Sequence, residues 1–300
     1  NQNGDILWSR AFYDPIQETN YATVGHSLKR IVFRDVDHDA RNEVFLGTLS
    51  RLNADDSGEL IYYDDDGSTI WTYKAGYEQY SPEHVYQDHY RIYALYVQDI
   101  LNQNQPQIIA QVAHNPYYPS ALIMLDLDKH LLGEYWHSGR FPVIQFHDCD
   151  ADSIREIFIG GINNLYRGAF LSVLDPRNMT GASPDYPLQF KNHAALKQGV
   201  ERCYIKFPKT TLNHATWDDV LRSLQFYEDR FVAVIYNDYV RQDPREAMDC
   251  SILGYTFNYQ FELLDVSVHD NYLKAHNELH GRAPSDEEIE ALWDIEYGKM

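Results

Sequence analysis

Cysteine is scarce in this chain: there are three, Cys149, Cys203 and Cys250, and no two form a CxxC pair. That spacing excludes the commonest zinc and thiol-redox motifs, while the count says nothing about compartment. Long apolar runs are missing too. The longest candidates are short stretches such as Phe231 to Tyr236, far below the roughly 18 residues of a bilayer-spanning helix, so the segment is expected not to insert into a membrane. Positive charge is in short supply, with 25 Lys and Arg against 45 Asp and Glu and a formal charge of −20. Such a surface repels phosphate backbones and argues against nucleic acid as a partner. It suits a protein that holds divalent cations, because clustered carboxylates become tolerable once a metal neutralises them; plain solubility accounts for it equally well. Nothing at the start, from Asn1 onward, reads as a charged n-region and apolar h-region, and the expectation is that a leader or a longer preceding region has been removed.

What is present is strand-forming. Hydrophobic residues make up 44% of the chain, 24 residues are Tyr, and the apolar residues come in runs of four to eight separated by Gly, Asn and Asp, which is the strand signature. The runs repeat. One unit covers about 29–75, with strands near Ile31, Glu43, Leu60 and Thr69 and a turn at Asp66-Gly67. A second covers 90–138 and ends at Trp136, the counterpart of Trp71; a third covers 141–190, its last strand undefined; a poorer fourth covers 221–266. Residues 1–12, with Gly4, Ile6, Leu7 and Trp8, resemble an orphan outer strand. Four strands per unit, repeated, imply an all-β chain of four-stranded antiparallel β-propeller blades over 1–268. Residues 269–300 read as a short helical tail, because Ser285 precedes Glu288 at capping-box spacing.

The acidic loops carry the chemistry. Asp35, Asp37, Asp39 and Glu43 stand at positions 1, 3, 5 and 9 of one loop, and Asp148, Asp150, Asp152 and Glu156 reproduce the set in another, each running directly into an apolar strand. Calcium takes six to eight hard oxygens, and alternation aims successive carboxylates into one concavity while position 7, Arg41 or Ile154, offers a backbone carbonyl. The corresponding loop of the second unit, Asp99 to Gln107, keeps its first Asp and no other carboxylate, so it is expected to bind no calcium.

These residues resemble the FG-GAP and VCBS-type repeats of integrin α-subunit propellers and of many bacterial surface and secreted proteins. The resemblance covers about 29–190 well, and 1–12 and 221–266 loosely. It implies calcium held by the acidic loop between the first two strands of a blade, which carries over to Asp35, Asp37, Asp39 and Glu43 and to Asp148, Asp150, Asp152 and Glu156. The family's usual glycine at position 6 is Ala40 in one loop and Ser153 in the other. The resemblance also implies an extracytoplasmic setting, secreted, periplasmic or cell-surface, with this segment as part of a larger membrane-anchored protein.

Loops between second and third strands are expected to share one face, and they hold His114, Tyr117, Tyr118, Asn163, Asn164, Tyr166, Arg167, Tyr239 and Arg241. Tyr and Arg anchor interfaces, so a protein or glycan ligand is expected there; ordinary turn chemistry is the bland alternative. His276 and His280 stand four apart, without the Glu placement of a zincin helix. No nucleophile and base stand out. The expected function is a non-catalytic calcium-binding propeller that serves ligand binding, adhesion or sensing. The rival is an extracellular carbohydrate-active enzyme, polysaccharide lyase-like, on the same scaffold. A quinone-dependent dehydrogenase propeller accounts for the Trp endings but not for the acidic loops.

Overall fold

The computed structural model describes residues 6–9, 30–48, 58–80, 85–114, 118–184, 186, 189–190, 198–214, 218–240 and 250–298. Among these, the chain is built of antiparallel sheets with few helices. It divides into two compact units, one of Asn1–His137 and Met179–Gly199, the other of Ser138–Asn178 and Val200–Met300.

The first unit holds two four-stranded sheets. In one, β1 (Ile31–Arg34), β2 (Glu43–Gly47), β3 (Glu59–Tyr63) and β4 (Thr69–Lys74) pair in chain order. A two-stranded turn, β5 (Gln79–Tyr80) with β6 (Val85–Tyr86), leads to the other: β7 (Tyr90–Gln98), β8 (Gln107–His114), β9 (Ser120–Leu125) and β10 (Leu131–His137), again in chain order. Inner strands read as continuous apolar runs because both faces are covered: β9 is buried throughout, whereas the outer β4 is largely exposed. Phe45, Leu60 and Tyr62 of the first sheet share a core with Ile92, Leu95 and Val112 of the second.

The second unit repeats the plan. β11 (Val143–His147), β12 (Glu156–Asn163) and β13 (Gly168–Leu174) form one meander. The chain then passes through Met179–Gly199, which belongs to the first unit, where the short β14 (Gln189–Phe190) pairs with β5. The fourth strand, β15 (Glu201–Lys206), arrives only after it, past the 190 at which the sequence pattern ends. β16 (Asp219–Phe226), β17 (Arg230–Asn237), β18 (Ser251–Asn258) and β19 (Leu263–Val268) form the last four-stranded sheet, and β20 (Glu296–Tyr297) adds to the edge of β15. Helix α1 (Asp270–His280) packs Tyr272 and Ala275 into the core. Helix α2 (Asp286–Glu290) starts at Ser285 with both halves of the expected capping box in place. No helix among the described residues is long and apolar enough to cross a membrane.

Two regularities tie the sheets together. The turn between third and fourth strands is the same in three of them: Asp64, Asp126 and Asn258 donate their N–H to the carbonyls of Ser68, His130 and Glu262, and Gly67, Lys129 and Phe261 take left-handed backbone angles. In the remaining sheet Asp175 opens the turn, with Asn178 N–H on its carbonyl, but the chain then departs through Met179–Gly199 before returning as β15. The second regularity is a close approach. A Cβ on Gly47 would lie 2.5 Å from Ile92, and a Cβ on Gly160 would lie 2.5 Å from Leu221. Each glycine is the fifth residue of a second strand and admits the first strand of the next sheet.

Of the orphan strand expected at 1–12, residues 6–9 are without regular structure, and Trp8 rests on Tyr63 with ring centroids 5.6 Å apart. The rest lies outside the described residues.

Candidate cation-binding loops

Of the four connections from first to second strands, the three loops Asp35–Glu43, Asp99–Gln107 and Asp148–Glu156 are wound in the same way, whereas β16 and β17 are joined by a short turn. The position-1 carboxylate accepts backbone N–H groups from across the turn: Asp35 from His38 at 2.7 Å and Ala40 at 3.0 Å, Asp99 from Gln103 at 3.0 Å and Asn104 at 2.7 Å, Asp148 from Asp152 at 3.2 Å and Ser153 at 2.9 Å. Positions 4 and 6 sit at positive φ in every loop: His38 and Ala40, Asn102 and Asn104, Ala151 and Ser153. The position-9 side chain, first residue of the buried second strand, folds back to accept the N–H of position 2: Glu43 from Val36 at 2.8 Å, Gln107 from Ile100 at 3.0 Å, Glu156 from Cys149 at 3.0 Å. The scaffold is therefore independent of how many carboxylates the loop carries.

The loops differ in what satisfies the second atom of position 9. In the middle loop, Gln107 Nε2 donates to the carbonyl of Gln105, the position-7 oxygen, at 2.6 Å. In the last loop, Arg202 donates one nitrogen to Glu156 Oε1 at 2.5 Å and to Asp150 at 2.8 Å. In the first loop, Glu43 is 2% exposed and its Oε1 has no hydrogen-bond partner among the described residues. Arg41, two residues before it, turns away to Asp65 at 2.5 Å. Burial, with Asp37 and Asp35 nearby, holds the Glu43 carboxyl above the usual carboxylate range. A buried anionic oxygen without a donor is costly, and a cation is the group that would relieve it.

Carboxylate oxygens of Asp35, Asp37 and Asp39 lie within 4.8 Å of one another, as do those of Asp148, Asp150 and Glu156. The donor sets are all oxygen, the chemistry of a hard cation such as calcium, and they leave out Glu43 in the first loop and Asp152 in the last. Sequence reasoning missed a third cluster, Asp126, Asp128 and His130. It is the tip of the β9–β10 turn, where Asp126 already accepts both the N–H of His130 at 2.7 Å and its Nδ1 at 2.8 Å. Its signal was the Asp-x-Asp-x-His spacing, visible but indistinguishable from turn chemistry.

The expected ligand surface is only partly surface. Asn163 is 1% exposed and spent internally: Oδ1 accepts from Ser138, Leu165 and Tyr166, and Nδ2 donates to Tyr204. It is corrected from ligand contact to loop anchor. Tyr166 donates to the Phe207 carbonyl at 2.5 Å, and Arg167 holds Asp218 and the His214 carbonyl at 2.8 Å. The His214 ring stands 6.4 Å from that of Tyr239. Asn164 is exposed. In the first unit, His114 and Tyr118 pack edge-on against Tyr86, and burial raises the Tyr118 hydroxyl to about 12. Tyr117 and Arg241 lie outside the described residues. His276 is fully buried and bonded to the Arg282 carbonyl at 3.0 Å, a structural role.

No protein-family model matches the chain, and no curated protein matches it. Among solved structures, the exotype rhamnogalacturonan lyase YesX is similar at 10% identity and a TM-score of 0.28, over 80% of this chain and 58% of that one. The chain thus spans little more than half the length of that enzyme, and a likeness at this level fixes neither fold nor chemistry.

Proposed function

We propose that this chain is a non-catalytic, calcium-binding β-propeller module that serves ligand binding, adhesion or sensing in an extracytoplasmic setting. Calcium is held at Asp35, Asp37, Asp39 and Glu43, and by the same pattern at Asp148, Asp150, Asp152 and Glu156. The observation that carries the reading is the buried Glu43 oxygen without a hydrogen-bond partner among the described residues, in the same loop whose Asp35, Asp37 and Asp39 carboxylates converge within 4.8 Å. The middle loop supports it by contrast: where the carboxylates are gone, an amide nitrogen stands on the position-7 carbonyl and no cation is called for.

Support for the propeller comes from the four-stranded meanders, the recurrent third-to-fourth turn and the paired glycines Gly47 and Gly160, each admitting the first strand of the following sheet. The setting is part of the same reading. Non-glycine residues at positive φ in position 6 work against a tight loop, and weak sites with dissociation constants of about 10⁻⁴ to 10⁻³ M would suit an extracellular module. Partner contact falls to the exposed Asn164 and Arg167 and to the His114–Tyr118 cluster, with a protein or glycan as the ligand class.

Calorimetry on the metal-stripped protein tests the reading. Calcium uptake that Asp37→Ala weakens is the expected result; no uptake at millimolar calcium overturns it.

A further inference from the structure

We propose that Arg202 is a tethered counter-ion that closes the Asp148–Glu156 loop, so that calcium enters it only by displacing a guanidinium, while the Asp35–Glu43 loop stands open. The proposal rests on the calcium reading above and concerns how the two loops divide the metal.

The two loops share their residue pattern and winding, so their difference lies in what reaches them from elsewhere. Arg202 sits on β15, at the register shift between the Val173–Cys203 and Leu174–Glu201 pairs that join β15 to β13. Its NH1 lies 2.8 Å from Asp150 and 2.5 Å from Glu156. Those are two of the three residues whose oxygens converge within 4.8 Å. One nitrogen thus spans positions 3 and 9, as a bound cation would. Glu156 is fully buried, and its other oxygen accepts both the N–H and the thiol of Cys149, so neither oxygen is left over. A second guanidinium completes the neutralisation. Arg177, braced on Asp175 at 2.7 Å, donates to Asp152 at 2.7 Å, which occupies position 5. Positions 3, 5 and 9 therefore all carry arginine. In the open loop, Asp35, Asp37, Asp39 and Glu43 receive only backbone N–H groups among the described residues, and the arginines closest in sequence are directed elsewhere, Arg41 to Asp65 and Arg34 to the Val97 carbonyl.

A charged hydrogen bond to a buried carboxylate must be given up before metal can take its place. Bonds of that kind are worth enough to weaken binding by about tenfold to a hundredfold. The consequence is functional asymmetry. The open loop is the calcium-responsive one, and the closed loop keeps its fold at low calcium. Arginine also supplies what the sequence pattern alone does not show, a reason for a loop with a full set of carboxylates to tolerate an empty state.

The test is calorimetric titration of calcium chloride into the metal-stripped full chain. Wild type takes up one equivalent at about tenfold to a hundredfold lower calcium than the second, and Asp37→Asn removes it. Arg202→Gln tightens the second equivalent by about tenfold to a hundredfold, and Asp150→Asn then abolishes the gain. Because Arg202→Gln leaves Glu156 uncompensated and can impair folding, the wild-type protein supplies a second measurement. The Arg202 guanidinium resonance, assigned by its loss in Arg202→Lys, stays fixed through the first equivalent and shifts only with the second. Two equal sites in wild type, unchanged by Arg202→Gln, overturn the proposal and leave the calcium reading standing. A resonance that shifts with the first equivalent, or a first equivalent lost in Asp150→Asn but kept in Asp37→Asn, overturns the proposal alone. No uptake by wild type or by Arg202→Gln overturns both.

Discussion

Gln107 Nε2 donates to the backbone carbonyl of Gln105 at 2.6 Å, bridging positions 9 and 7 of a loop whose scaffold matches that of Asp35–Glu43. The amide supplies internally what a carboxylate at position 9 needs from outside. Swapping the two side chains separates scaffold from metal. Glu43→Gln gives the first loop the same internal donor, so the metal-free protein is expected to melt no lower than wild type and to lose its response to calcium. Gln107→Glu leaves a buried carboxylate oxygen without a donor in a loop that lacks carboxylates at positions 3 and 5. It is expected to cost about 2 kcal/mol that calcium does not restore. Thermal denaturation of both variants, with calcium and with chelator, checks the pair.

Ala40 and Ser153 hold φ of 70°, a left-handed conformation that costs an L-residue with a Cβ about 1 kcal/mol relative to glycine. Ala40→Gly and Ser153→Gly are each expected to stabilise the chain by up to about 0.5 kcal/mol, after the added freedom of the unfolded chain is offset. Asn104→Gly is the control. Asn104 holds φ of 58°, and asparagine tolerates that region, so its replacement gains little. Urea titration at fixed calcium distinguishes the three.

Asp219 starts β16 fully buried, accepting from Thr210 N at 2.7 Å, Thr210 Oγ1 at 3.1 Å and Asn237 Nδ2 at 2.8 Å. Burial outweighs these bonds and pushes its carboxyl up to about 6. The folded state therefore binds the proton more tightly than the unfolded chain, near 4 for a free aspartate, and this group's contribution grows as pH falls through 6. Between pH 7 and pH 5 the gain is about 1 kcal/mol. Asp219→Asn is expected to lose that gain, so wild type exceeds the variant by more at pH 5 than at pH 7. A difference that is constant or reversed contradicts the assignment.

The glycine contacts make a graded steric prediction. A Cβ at Gly47 would meet both Cγ2 and Cβ of Ile92, at 2.5 and 2.9 Å, atoms close to a strand backbone, whereas a Cβ at Gly160 meets first a terminal methyl of Leu221. Gly47→Ala is expected to cost about 2 kcal/mol and Gly160→Ala about 1 kcal/mol, within the range of overpacked cores. Differential scanning calorimetry reads both.

Much of the strand order was legible because inner strands announce themselves as apolar runs and the turns recur at fixed offsets. Asp66-Gly67 and Asp128-Lys129 both mark third-to-fourth turns, and Ser285 marks the last helix through its capping box. β15 was not legible as the fourth strand of its sheet, because Met179–Gly199 intervenes between the Asp175 turn and the returning strand. The carboxylates of both acidic loops were legible by spacing. Their difference was not, since Arg202 stands 46 residues from Glu156 and only the β13–β15 pairing delivers it. Asn163 misled for a related reason: its amide is common in exposed loops, and here it is turned inward to bind its own loop and Tyr204.

The calcium reading stands or falls most directly on one comparison, the melting temperature of the metal-stripped chain with and without millimolar calcium, in wild type and in Asp37→Ala. A ligand at ten times its dissociation constant stabilises by about 1.4 kcal/mol, so wild type is expected to melt a few degrees higher with calcium and Asp37→Ala to show little or no rise. Equal melting temperatures in wild type with and without calcium, together with no heat of binding, would contradict the account.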